Sequence, residues 1–85
     1  MNMTMLRFKV GERSTLQGER KELGEVNVAI DNIAFTEKIT VTGNMTEDQA
    51  SGVKARVKRI LRAYEAYLWS YWWDVDTGIE LERVS

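Results

Sequence analysis

Catalysis needs a nucleophile, a base or a metal-holding cluster, and this 85-residue chain supplies few of those parts. It has neither cysteine nor histidine, which removes thiolate and imidazole metal ligands, disulfides and the commonest general base. Serines stand at 14, 51, 70 and 85, with no histidine to activate them and no Gly-x-Ser-x-Gly turn. Carboxylate pairs occur at Asp74 and Asp76 and at Glu80 and Glu82. A spacing of two puts both members of a pair on one face of a strand, where a solvated polar edge is expected. The run Asp74-Val75-Asp76-Thr77-Gly78 opens like a calcium loop but lacks the later ligands and the terminal glutamate, and reads as a helix-terminating turn. No catalytic, metal or cofactor site is expected, and the chain reads as non-enzymatic.

Binding chemistry is better supplied. Between residues 54 and 62 fall Lys54, Arg56, Lys58, Arg59 and Arg62, with no acid from Gln49 to Tyr64. Lys54, Lys58 and Arg62 are four apart and form a ridge on the solvent side of a helix. With Arg59 they are the candidate contacts for nucleic acid or an acidic protein partner, and phosphate contacts of that kind weaken steeply with salt. The competing expectation is an ordinary wetted face, neutralised by Glu12, Glu19, Glu22 and Glu25.

All three tyrosines and all three tryptophans lie between residues 64 and 73. On a helix, Tyr64, Leu68 and Tyr71 continue the apolar stripe, Trp69 and Trp72 flank it, and Tyr67 and Trp73 point elsewhere. A helix over 46–73 would span roughly 42 Å, whereas a compact domain of this length is only about 30 Å across. The overhanging end has the composition of an interface anchor. Tyr64, Tyr67, Trp69, Trp72 and Trp73 are therefore the candidate protein-interface residues, with a homodimer as the expected use. Closure of the monomer core by the same rings is the alternative. A membrane-surface helix is disfavoured, because its basic and aromatic parts follow one another along the axis rather than occupying opposed faces.

These side chains need elements to hold them. Leu6, Phe8 and Val10 alternate with Met5, Arg7 and Lys9, the period of a half-buried strand over 3–10. Residues 14–23 read either as a polar hairpin loop or as a short helix, Ser14 and Gln17 offering a capping box that Gly18 interrupts. Val26, Val28 and Ile30, then Ile39 and Val41, alternate on either side of turn residues and read as a hairpin. Thr46 and Gln49 make a capping box, with Glu47 and Asp48 where the helix dipole favours acids. Val53, Val57, Ile60 and Leu61 continue an apolar stripe from there. Ile79 and Leu81 alternate as a final strand. The expectation is an α+β domain in which a small antiparallel sheet of three to four strands packs on one long amphipathic helix, in the order β-(loop or short α)-β-β-α-β.

Length allows one domain, 1–85. The net charge of −1 marks neither a polyanion binder nor an acidic decoy. No run of 18 apolar residues is present to span a membrane, and the lack of cysteine fits a reducing cytoplasm.

The segments Gly24-Glu-Val-Asn-Val, Ile39-Thr-Val-Thr-Gly43 and Glu47-Asp48-Gln49, with the aromatic run Tyr71-Trp72-Trp73-Asp74, resemble the DinI-like proteins. That resemblance implies a β-α-β-β-α order and a role in modulating a DNA-repair recombinase filament. The segment after the first strand is shorter here than the family's helix, and the last helix is basic where the family's is acidic. No functional residue is carried over. A small interaction or regulatory protein of phage or viral type is the leading expectation, and a nucleic-acid-binding or filament-modulating protein is the alternative.

Overall fold

Period-two alternation does become strand at both ends of the chain. In the computed structural model, which describes residues 2–62 and 71–84, the elements are β1 (Met3–Glu12), β2 (Lys21–Asp31), β3 (Thr36–Gly43), α1 (Glu47–Arg62), β4 (Tyr71–Trp73) and β5 (Ile79–Arg83). The five strands form one antiparallel sheet in the order β3-β2-β1-β5-β4. Central β1 presents Leu6, Phe8 and Val10 to one side, where they meet Val28, Val26 and Leu81 of the neighbouring strands. Val53, Val57 and Ile60 of α1 close that side into a buried core.

The helix starts where its cap requires. The Thr46 amide donates to Gln49 Oε1 at 3.0 Å, and the Gln49 amide donates to Thr46 Oγ1 at 3.1 Å. Two otherwise orphaned donors are satisfied reciprocally. Just before the cap, at the end of β3, the β2–β3 pair tightens until a Cβ at Gly43 would clash with the Leu23 carbonyl oxygen, and Gly43 takes φ +122°. Only glycine fits that approach.

Three expectations are corrected. The sheet has five strands, not three or four. The order of the described elements is β-β-β-α-β-β, one strand more after α1 than expected, and the loop alternative holds after β1, so the order also differs from the one that the DinI-like resemblance implies. Residues 13–20 form the loop of the β1–β2 hairpin, and β2 begins at Lys21. The third correction concerns length. No helix runs from 46 to 73, because Tyr71–Trp73 is strand and α1 is sixteen residues ending at Arg62. Such a helix measures about 24 Å, within the molecule's 41 Å long axis. The physical reason lies downstream, where Asp74–Gly78 closes a hairpin rather than a helix. The Asp74 amide donates to the Ile79 carbonyl, the Gly78 amide to the Asp74 carbonyl, and the Asp74 carboxylate accepts the Asp76 amide and the Thr77 hydroxyl. Three aromatic residues, good strand formers, then pair with β5 and cover what would otherwise be its open edge.

Candidate functional site

Because α1 turns Val53, Val57 and Ile60 inward, the residues between them must face out. Lys54, Lys58, Arg59 and Arg62 are all exposed, and none makes an ion pair among the described residues. None of the four acids expected to neutralise them pairs with them among the described residues, and two are engaged elsewhere. Glu22 pairs with Arg20, and Glu12 accepts a 3.3 Å hydrogen bond from Gln49 Nε2. The ridge stays cationic.

Strand β4 divides the aromatic cluster between two faces, since successive side chains alternate. Trp72, opposite Leu81, turns to the helix side and packs against the core. The guanidinium carbon of Arg56 sits 4.5 Å from its ring centroid, a cation–π stack. Tyr71 and Trp73 turn to the other face, where Trp73 Nε1 donates to the Arg13 carbonyl at 2.9 Å and the Tyr71 hydroxyl donates to Glu80. Trp72 and Trp73 therefore do not share a helical overhang. Tyr64, Tyr67 and Trp69 lie outside the described residues.

Between α1 and the β4–β5 hairpin runs a groove of about 330 Å³. Val53, Ile79 and Trp72 give it an apolar floor, and Gly52 and Ala55 keep the helical wall low. Arg56 and Arg59 stand on its rim, with Asp48, Asp74 and Thr77 also contributing. Of the four exposed cations only Arg59 lines the groove; Lys54, Lys58 and Arg62 fall on the other flank of α1, so apolar and basic chemistry meet at Arg56 and Arg59.

On the opposite face of the sheet lies a cluster that residue spacing does not reveal. Glu80 was expected on a solvated edge, yet it is only 1 % exposed. It does share its face with exposed Glu82, as alternation requires, but the β1–β2 loop folds back over it. Arg20 donates to Glu80 Oε1 and also pairs with Glu22, and Arg13 Nε lies 3.3 Å from Glu80 Oε2. Arg20 reaches this position across Gly11, where any Cβ would strike its guanidinium. Burial alone pushes the Glu80 carboxyl upward, but the hydrogen bonds from Tyr71 and Arg20 and the charges of Arg13 and Arg20 outweigh it and hold it below 4.5. The Tyr71 hydroxyl is pushed up, first by its hydrogen bond to Glu80 and then by burial. A carboxylate so paired is held ionised rather than poised to exchange a proton, and the cluster fastens the loop and β4 to the sheet.

No family model, curated protein or solved structure matches the chain. No helix among the described residues is long and apolar enough to cross a membrane.

Proposed function

We propose that the protein is a non-enzymatic interaction module whose working surface is the basic side of α1 together with the groove that ends at Trp72, and that its partner is an acidic, partly apolar protein segment. One observation carries the reading: an apolar groove of about 330 Å³ is lined by Arg56 and by exposed Arg59, which has no ion-pair partner among the described residues, beside Asp48 and Asp74, while Lys54, Lys58 and Arg62 leave the rest of the outer face of α1 basic. An apolar side chain flanked by carboxylates satisfies both halves at once. Burial in the groove supplies affinity, and charge complementarity supplies specificity and encounter rate. The apolar groove favours a protein segment with an apolar side chain over a polyanion, whose phosphates would engage the cations alone.

Selection from a random-peptide display library tests this directly. Enriched peptides carry Asp or Glu beside Leu, Phe or Trp, and each exposed charge reversal costs about 0.5–1 kcal/mol. The double variant Lys58→Glu, Arg59→Glu should thus bind them about tenfold more weakly. Enrichment of neutral or basic peptides, or equal binding by the variant, refutes the reading. A second reading, contact with nucleic acid, is favoured by the one-turn spacing of Lys54, Lys58 and Arg62. A gel-shift series that shows no complex even at low salt removes it.

A further inference from the structure

The β2–β3 hairpin carries its own unexplained feature. Its turn, residues 32–35, holds Ile33, Ala34 and Phe35 in succession, where turns ordinarily hold polar residues. Phe35 is 89 % exposed and Ile33 69 %. Phe35 also takes φ +56°, the left-handed conformation that glycine and asparagine adopt with least strain. The turn is firmly based all the same. The Asp31 carboxylate accepts the amides of Ile33 and Ala34 at 2.9 and 3.0 Å. Asn32 donates its amide to the Asn2 carbonyl and its side chain to Thr4 Oγ1, tying the turn to β1. A phenyl ring is thus held out in water, on a rigid base, at a position where it costs stability. Such an arrangement is the reverse of what folding alone favours.

We propose that this tip docks into the α1–β4 groove of a second copy of the chain, an inference that rests on the groove reading above. Size agrees, and the groove's two arginines can meet the acids beside the tip. A cavity of about 150 Å³ accommodates a benzene ring, and the groove offers about 330 Å³, room for Phe35 and part of Ile33. Asp31 and Glu37 flank the tip, and the groove offers Arg56 and Arg59 to them, although Asp48 and Asp74 also line it. Lys38, the cation nearest the tip, alternates to the opposite face of β3 from Glu37. The contact is heterologous, tip to groove, so it closes into a pair if two such contacts form at once and otherwise extends a chain.

Two variants separate the halves of the contact without unfolding the protein. Phe35→Gly removes the ring and relieves the backbone strain. Gly52→Leu fills the groove, since a Cβ at Gly52 meets nothing within 4 Å, and it replaces a helix-interior glycine. Both should melt no lower than wild type. By sedimentation equilibrium, wild type exceeds 9.8 kDa with mass rising with concentration, and each variant alone associates about thirtyfold more weakly, as loss of an aromatic anchor does. An equimolar mixture of the two forms a one-to-one pair, because one intact tip then meets one intact groove. Wild type that stays at 9.8 kDa, or a mixture no heavier than its components, overturns the proposal. If display-selected peptides still bind the groove and Gly52→Leu blocks them, self-docking alone has failed. If no peptide binds either, the groove reading has failed with it.

Discussion

Glu80→Gln is the most informative single change to the fold. It preserves shape and removes one charge from a carboxylate that is 1 % exposed between Arg13, Arg20 and Tyr71. Taking one partner from a buried ion pair costs about 3–5 kcal/mol when the other charge stays trapped. The arginine side chains here keep 26 % and 21 % of their exposure, and the glutamine oxygen can still accept from Tyr71, so part of that cost is escaped. Arg20 also keeps its ion pair with Glu22, although its Nη2 has no hydrogen-bond partner among the described residues even in wild type. We expect a loss of about 2–3 kcal/mol, which for a domain of this size lowers Tm by roughly 10–20 °C. Urea unfolding and thermal melts at neutral pH measure it. The pH dependence has a definite sign. The folded carboxyl is held below 4.5, so its contribution is complete above that value and disappears as pH falls through the folded pKa. The gap between wild type and Glu80→Gln should therefore close in acid below 4.5. A neutral-pH difference under about 0.5 kcal/mol, or a gap that persists unchanged in acid, would mean that the charge of Glu80 does not hold the loop and β4 in place.

Thr46→Ala removes one half of the reciprocal cap and should cost about 1 kcal/mol in a urea titration; no change would mean that Gln49 satisfies the helix start alone. Gly43→Ala drives a Cβ into the Leu23 carbonyl and the Gly24 backbone and should cost about 3–4 kcal/mol, read as a large drop in Tm or loss of the folded circular-dichroism spectrum. Near-wild-type stability there would contradict the β2–β3 approach. Leu81→Ala empties a fully buried site between β1 and β4 and should cost about 2–5 kcal/mol, a large share of the roughly 4–13 kcal/mol available to a chain this short.

Features whose causes lie within a few residues were legible before any tertiary contact. The Thr46–Gln49 cap needs only its own neighbours, and both of its hydrogen bonds are present. Alternation over Leu6, Phe8 and Val10, over Val26, Val28 and Ile30 and again over Ile39 and Val41 marks strands, and the β2–β3 hairpin follows from the Asp31-Asn32 turn signal between the last two runs. The inward stripe of Val53, Val57 and Ile60 fixes which side of α1 is wet, so Lys54, Lys58, Arg59 and Arg62 were already outward-facing by elimination. Tyr71–Trp73 was misread as helix because the spacing of its apolar residues suits a helical stripe as well as a strand, and no proline or glycine stands between α1 and β4. One signal was available. The run from Asp74 to Gly78 leads into a final strand, and a tight turn before a strand calls for a partner strand immediately ahead of it, which is Tyr71–Trp73.

The chain by itself therefore determined an α+β composition, the helix start, the central strands, the basic outer face of α1 and the lack of imidazole or thiolate chemistry. Tertiary structure alone decided that Glu80 is buried, that Trp72 and Trp73 lie on opposite faces, and that a groove opens beside Arg56. The physical reason is range. A cap or an alternation is governed by hydrogen bonds and side chains a few positions apart, whereas Arg20 and Glu80, or Arg56 and Trp72, meet only when the sheet brings distant strands and the helix together. A charge buried by a loop from the far end of the chain has no local signature.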